Sequence, residues 1–396
     1  MKRRRTRALL VAPLVGAVLA TTVGVTSGTQ QTPVTGPAPG AAAWRADRAL
    51  GRTLPDPATA SPERVAGFFA ELSGSEQRRL VRSHAMTVGN LDGVPLRVRY
   101  QANRLALKRE QRTQSARARA EGLTREDHQE ARRKVRRYTR LLAPGRQILA
   151  FDPRGRGQVA EVFGDLAHAT RTAVVVPGSD IDLAGFDRGG GNRYGRPAGM
   201  ATALHARMVR RAPHTRSAVV AWVGYTTPVG LGPDAATGKL ADAGAPRLVR
   251  FLKGLAQNGT PAPAVLCHSY GSVVCGRAAS RIDRSEAAGL IVFGSPGMRA
   301  DSVAGLDTPV PVWAARAAED WIGHVPHVQL LGLGHGTDPA DPGFGARVVT
   351  ASDAGGHSGY LKPGTDSLDN FASIALRAYG AVRCAPTSRE CTGAAR

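Results

Sequence analysis

Acyl transfer through a side chain needs three residue types in one place: a hydroxyl or thiol nucleophile, an imidazole to take its proton, and a carboxylate to orient the imidazole. The first of these stands out in this sequence. Ser269 lies between His268 and Tyr270, after a short apolar run, Ala264 to Cys267, and before Gly271 and a stretch of helical character, Ser272 to Ala279. A strand, a very tight turn and a helix in that order would lift the serine hydroxyl clear of a sheet. Such a turn is strained and admits only small residues two places before and two places after the serine. Gly271 meets that demand. Cys267 stands where the pattern G-x-S-x-G has its first glycine, so four of the five positions match. The alternative for this stretch taken alone is a buried strand, a turn and an ordinary N-cap serine.

The acid and the base should follow late strands of the same sheet. The run Val312 to Ala315 reads as such a strand, and Glu319 and Asp320 come just after it. Four histidines lie beyond: His324, His327, His335 and His357. The first two fall too close to the acid to occupy a separate strand-end loop. His335, between two glycines, competes with His357, which sits in a glycine-rich loop immediately before the last helix. Each histidine singly is more often a surface or packing residue than a base; the order serine, acid, histidine carries the weight. The developing oxyanion would need two backbone N–H donors. One is Tyr270, next to the serine, and the other Ser179, in the Pro177-Gly178-Ser179 turn that ends an earlier apolar run.

The elements that must hold these residues can be read from periodicity. Short apolar runs at 147–151, 158–163, 173–176, 218–223, 264–267, 289–293 and 310–315 read as strands. Helical stretches at 200–211, 245–256, 272–279 and 368–379 lie between or after them. Strands alternating with helices imply an α/β protein with a mostly parallel sheet covered by helices on both faces, and sites at the carboxyl ends of the strands. Before residue 144 the pattern is helical. Ser61-Pro62 reads as an N-cap with proline at the first position, and Ser73 with Glu76 as a capping box. Two arginine-rich helices span about 103–120 and 124–142. The long loop 180–195 carries Gly189, Gly190 and Gly191 without a following Gly-Lys-Ser/Thr, which excludes a phosphate loop and suits a flap over the site.

Composition bounds the partners. The chain has 396 residues and a formal charge of +22, with 53 Lys+Arg against 31 Asp+Glu. That balance allows weak binding to an anionic surface through the basic helices, although arginine, 47 Gly and 26 Pro together read more simply as compositional bias. Only 5% aromatic residues argues against a base-stacking surface, and no specific nucleic-acid partner is expected. Lys2 to Arg7 is basic and Ala8 to Val25 is apolar but broken by Pro13, Gly16 and Gly24, as in a cleaved export signal; an uncleaved anchor is the alternative. A secreted protein follows. Cys384 and Cys391, close together in the tail, should then pair, whereas Cys267 and Cys275 read as buried thiols. No cysteine or histidine group has metal-site spacing, and no metal or cofactor is expected.

At this point the chain resembles a family. Leu91 to Pro95, Ala102 to Arg104, Val175 to Gly178, Cys267 to Gly271, Gly294 to Gly297 and Gly356 to Tyr360, in that order and spacing, look like the actinobacterial α/β-hydrolase family once described as a domain of unknown function. The resemblance runs from about Val65 to Tyr379. It implies an α/β-hydrolase fold with a Ser-acid-His site on Ser269, Asp320 and His357; it supplies no substrate. The organisation expected is a signal peptide at 1–27, a flexible linker at 28–43, a helical region at 44–145, the hydrolase domain at 146–383 and a tail at 384–396. The expected activity is cleavage of an ester or related acyl bond in a small or lipid-like substrate. A binding protein on a hydrolase scaffold, working through its basic helices, is the competing class.

Overall fold

The computed structural model describes residues 30–388 and 391–392. The expected signal peptide at 1–27 lies outside the described residues. Six helices come first: α1 (Ala41–Ala46), α2 (Pro62–Ala70), α3 (Gly74–Ser83), α4 (Ala85–Asn90), α5 (Leu96–Arg117) and α6 (Arg125–Leu141). Their starts are written in local chemistry. Ser61 accepts the Arg64 N–H, Ser73 and Glu76 close a reciprocal capping box, and Thr124 accepts the Asp127 N–H. Trp44, Val65, Phe69, Leu80, Val88 and Val98 build a small core among them. α5 and α6 also turn Leu107, Tyr138 and Leu141 into the same core as Ile148 and Phe151 of the sheet. The helical region is therefore packed onto the domain that follows. Residues 30–40, expected as part of a flexible linker, run as a strap on that domain: the Val34 N–H donates to Thr226 and Arg154 donates to the Thr35 carbonyl.

The rest of the chain gives β1 (Gln147–Asp152), β2 (Gln158–Gly164), β3 (Arg171–Val176), α7 (Pro197–Arg211), β4 (Ser217–Val223), the single-turn α8 (Pro233–Ala236), α9 (Lys239–Gln257), β5 (Ala264–His268), α10 (Tyr270–Ala278), β6 (Gly289–Phe293), β7 (Gly297–Ala300), β8 (Val312–Ala315), β9 (Gln329–Leu330), β10 (Leu333–Gly336), β11 (Arg347–Val348) and α11 (Asp366–Ala375). Eight strands form one sheet in the order β1-β2-β4-β3-β5-β6-β8-β11. β2 runs antiparallel to both its neighbours, and every other pairing in this sheet is parallel. The central strands are buried along their whole length, which is why they read as unbroken apolar runs. α7 and α11 cover one face, α9 and α10 the other. β7, β10 and β9 make a separate small sheet beside the carboxyl ends of the main strands.

Both cysteine pairs are joined. Cys384–Cys391 is bonded as expected. Cys267–Cys275 is also a disulfide, which corrects the reading of two buried thiols. The tight turn at Ser269 folds α10 back over β5. The residue two places before the serine thus meets one in the second turn of the helix, with Cα atoms 6.5 Å apart.

Candidate active site

Ser269 stands between the end of β5 and the start of α10, with φ 53° and ψ −128°. This is a region that non-glycine residues seldom occupy, and the surrounding contacts hold it there. Gly271 is required: a Cβ would fall 2.6 Å from the Val176 carbonyl oxygen and 2.7 Å from that of Pro177. Gly178 is required from the other side, since its Cβ would meet the Ser269 Cβ at 2.5 Å. The loop after β3 and the serine turn are therefore in direct contact.

His357 Nε2 lies 2.9 Å from Ser269 Oγ, and His357 Nδ1 lies 2.8 Å and 3.0 Å from the two Asp320 oxygens. Asp320 is almost wholly buried and follows β8 directly. Burial pushes its carboxyl upward. The hydrogen bond and charge of His357, with the Ile322 N–H and the Tyr360 hydroxyl, outweigh that and hold it below the usual carboxylate range. Tyr360 Oη donates to Asp320 Oδ2 at 2.7 Å and accepts the Ala317 N–H at 2.9 Å. Burial and the Asp320 charge raise the Tyr360 phenol, so it stays a donor.

Of the residues singled out in the sequence, Ser269, Asp320 and His357 come together. Ser179 and Tyr270 line the cavity beside Ser269. Tyr270 opens α10, where a backbone N–H has no intrahelical partner. The Ser179 N–H makes no hydrogen bond among the described residues. The 177–181 turn is pinned from behind: Tyr225 donates to the Pro177 carbonyl, Thr227 to the Ile181 carbonyl, and the Asp180 carboxylate accepts the Gly230 N–H. His335 lines the same cavity but, among the described residues, makes no hydrogen bond to Ser269 or Asp320. Its Nε2 lies 2.7 Å from the Ala235 carbonyl oxygen and its ring stands edge-on to Tyr270. Glu319 is exposed to solvent. The 180–195 loop, expected to suit a flap, buries Ile181, Leu183 and Phe186, and its exposed part runs from Arg188 to Arg193.

Two residues with a clear place here were not assigned one from the sequence. His268 donates Nε2–H to the His357 carbonyl at 2.8 Å and packs its ring 4.8 Å from the His357 ring. Burial, helped by the neighbouring His357, lowers its pKa to about 3, so it is a neutral prop for the loop. Tyr360 closes the Gly356 to Tyr360 motif. Its position three residues after the histidine was the one available signal, and a tyrosine so placed is usually packing.

A cavity of about 180 Å³ opens onto Ser269, walled by Ala235, Pro296, Ile322, Val325, Leu330 and Leu333 among others, and it is mostly apolar. A larger one, about 280 Å³, lies where the strap and α5 meet the β1–β2–β4 end of the sheet, and it does not reach Ser269. Chemistry, not size, marks the first as the site.

Residues 152–330 match a family model described as alpha/beta hydrolase. Over 382 residues the chain is 28% identical to two curated Mycobacterium tuberculosis proteins, from strains CDC 1551 / Oshkosh and H37Rv, both described as uncharacterized. The match covers 81% of this chain and 56% of theirs, so the chain spans little more than half the length of those relatives. Among solved structures, 2,6-dihydroxy-pseudo-oxynicotine hydrolase is 14% identical with a TM-score of 0.36, over 87% of this chain and 94% of that one. The 2-hydroxy-6-oxo-6-phenylhexa-2,4-dienoate hydrolase of Rhodococcus sp. strain RHA1 is 13% identical with a TM-score of 0.33, over 56% and 95%. The family match and the sheet topology agree on the α/β-hydrolase fold, and the match supports a hydrolase.

Proposed function

We propose that this protein is a serine hydrolase that cleaves an ester bearing an apolar group, through Ser269, His357 and Asp320. The observation that carries the reading is the unbroken chain of hydrogen bonds from Ser269 Oγ through His357 to Asp320, at the floor of an apolar cavity. His357 takes the hydroxyl proton as Ser269 Oγ bonds to the ester carbonyl carbon. The carbonyl oxygen becomes an oxyanion, faced by the Ser179 and Tyr270 N–H groups. Collapse of the tetrahedral intermediate breaks the bond to the alcohol, which leaves with the proton from His357. Water, deprotonated by His357, then releases the acid and restores Ser269. Asp320 keeps Nδ1 protonated, so that Nε2 faces the serine as acceptor.

The ester preference rests on the cavity wall, which offers an alkyl or aryl group many contacts and a leaving amine few partners. A cleaved export signal would place this reaction outside the cell. The deciding experiment is reaction with a fluorophosphonate probe followed by turnover of p-nitrophenyl esters of graded chain length. Ser269 should be labelled and Ser269→Ala should be neither labelled nor active. A folded wild-type chain that the probe leaves unmodified would sink the reading in favour of a binding protein on this scaffold.

A further inference from the structure

Seven large apolar side chains are exposed among the described residues. Five of them, Leu231, Trp321, Val328, Leu330 and Leu333, line the cavity above Ser269, and Leu331 follows Leu330 directly in the chain; Val209, on α7, is elsewhere. A monomeric soluble surface scatters such residues singly, and a contiguous group marks something it meets. The tip of the β9–β10 hairpin is the extreme case. Leu331 is 95% exposed and holds a left-handed φ of 50°. Folding alone would put Gly, Asn or Asp at such a turn position, because leucine is strained there and buries nothing. The hairpin is nonetheless braced: Arg299 donates to the Gly332 and Gly334 carbonyls, and Leu333 bridges to Thr237.

The way the chain enters the described structure says what covers this mouth. The Gln31 N–H donates to Asp234, beside Ala235 and Ala236 of the cavity wall. In the sequence, the apolar stretch Ala8 to Val25 ends only a few residues earlier. The described chain therefore begins beside the exposed apolar mouth. We propose that this side docks on a lipid bilayer. The Leu330–Leu331 tip and Trp321 enter the apolar layer, and the ester passes from the lipid into the cavity without crossing water. The substrate class is then an ester with a long apolar chain that resides in a bilayer. Only that last step rests on the proposed serine chemistry; docking does not.

Tryptophan emission reads the contact directly. Trp44, Trp222 and Trp313 are buried, and Trp321 is the exposed one, at 40%. The full chain is mixed with phosphatidylcholine vesicles whose acyl chains are brominated, at low and high salt, with unbrominated vesicles as reference. Quenching of the Trp321 emission is expected, unaffected by salt, absent in Trp321→Phe and weakened about fivefold or more in Leu331→Asn. Asparagine suits the turn, so the variant should fold at least as well as the wild type. Val209→Ser should quench like the wild type. In turnover, Leu331→Asn should lose about tenfold on a vesicle-embedded ester and nothing on a short soluble one.

Ser269→Ala should dock normally. Its docking with no probe labelling in the wild type would reject the serine chemistry and leave the docking. Absence of quenching, with or without sedimentation through Ala8 to Val25, would overturn the proposal. So would quenching confined to anionic vesicles and reversed by salt, equal quenching in Leu331→Asn, or a dimer that replaces vesicle binding.

Discussion

A carboxylate as buried as Asp320 has to be held by several donors at once, or its charge would cost more than its orientation of His357 could return. His357, Ile322 N–H and the Tyr360 hydroxyl are those donors. Removing one leaves the carboxylate under-satisfied, and a hydrogen bond to a charged group is worth about 1.5–3 kcal/mol. Tyr360→Phe should therefore lower kcat on a soluble ester about tenfold with KM unchanged, as steady-state kinetics can check. His357→Ala should cost at least about a hundredfold and His335→Ala almost nothing. The reverse ranking would move the base to His335. His335 bears instead on stability. Burial lowers its pKa to about 4, and that of His268 to about 3, from an unfolded value near 6.5. Below about pH 6.5 the unfolded chain binds protons that these two rings refuse. Stability should then fall as pH drops from about 6.5 toward 4, by at most about 1.4 kcal/mol per pH unit for each ring. Urea unfolding across that range should show a shallower slope in His335→Gln.

At the scale of elements, the serine turn is clamped from three sides: the Gly178 backbone, the close approach of Gly271 to β3, and the Cys267–Cys275 bond. The disulfide stands in the place where a first glycine would relax the turn, tying the strand to the helix it feeds. Closing a loop of about eight residues restricts the unfolded chain by about 2.5 kcal/mol on the chain-entropy account. Both disulfides close loops of nearly this length, with sequence separations of 8 and 7. The Cys267→Ser, Cys275→Ser pair should lower both the unfolding free energy and kcat, because the turn carries Ser269. The Cys384→Ser, Cys391→Ser pair should lower only the first. Equal kcat in both double variants would show that the glycine contacts alone hold the turn.

For the whole molecule, the question is whether the helical region and the sheet are one cooperative unit. Arg99 of α5 is buried, donating to Asp92 at 3.0 Å and to the Gly89 carbonyl, and Asp92 also faces Arg250 of α9. Asn90 spans the same junction, donating to the Phe151 carbonyl and accepting the Phe151 N–H. Breaking a buried pair from one side strands a charge and costs about 3–5 kcal/mol. Arg99→Ala should lower stability by about that amount, and melting followed by circular dichroism and by activity should still give one coincident transition. A separate early transition of the helices would show two units. The exposed face of α6, with Arg132, Arg133 and Arg136, makes no such junction, and replacing these arginines should change stability by less than about 0.5 kcal/mol.

What the sequence determined by itself is what is encoded within a few residues. Unbroken apolar runs marked the central strands, Ser61, Ser73 and Thr124 marked helix starts, and the small residues around Ser269 marked the turn. The short strands β7, β9, β10 and β11 were not separable from loop, because two to four residues carry no period. The sequence favours His357 over His335 through its glycine-rich loop before the last helix and the family resemblance, but the approach of its imidazole to a serine 88 residues away is a product of the fold. The pairing of Cys267 with Cys275, the hydroxyl of Tyr360 on Asp320 and the apolar mouth around Leu331 are likewise products of packing. The serine turn brings the two cysteines together, whereas the tyrosine contact and the apolar mouth join residues that become neighbours only when the sheet order brings separate loops to one edge.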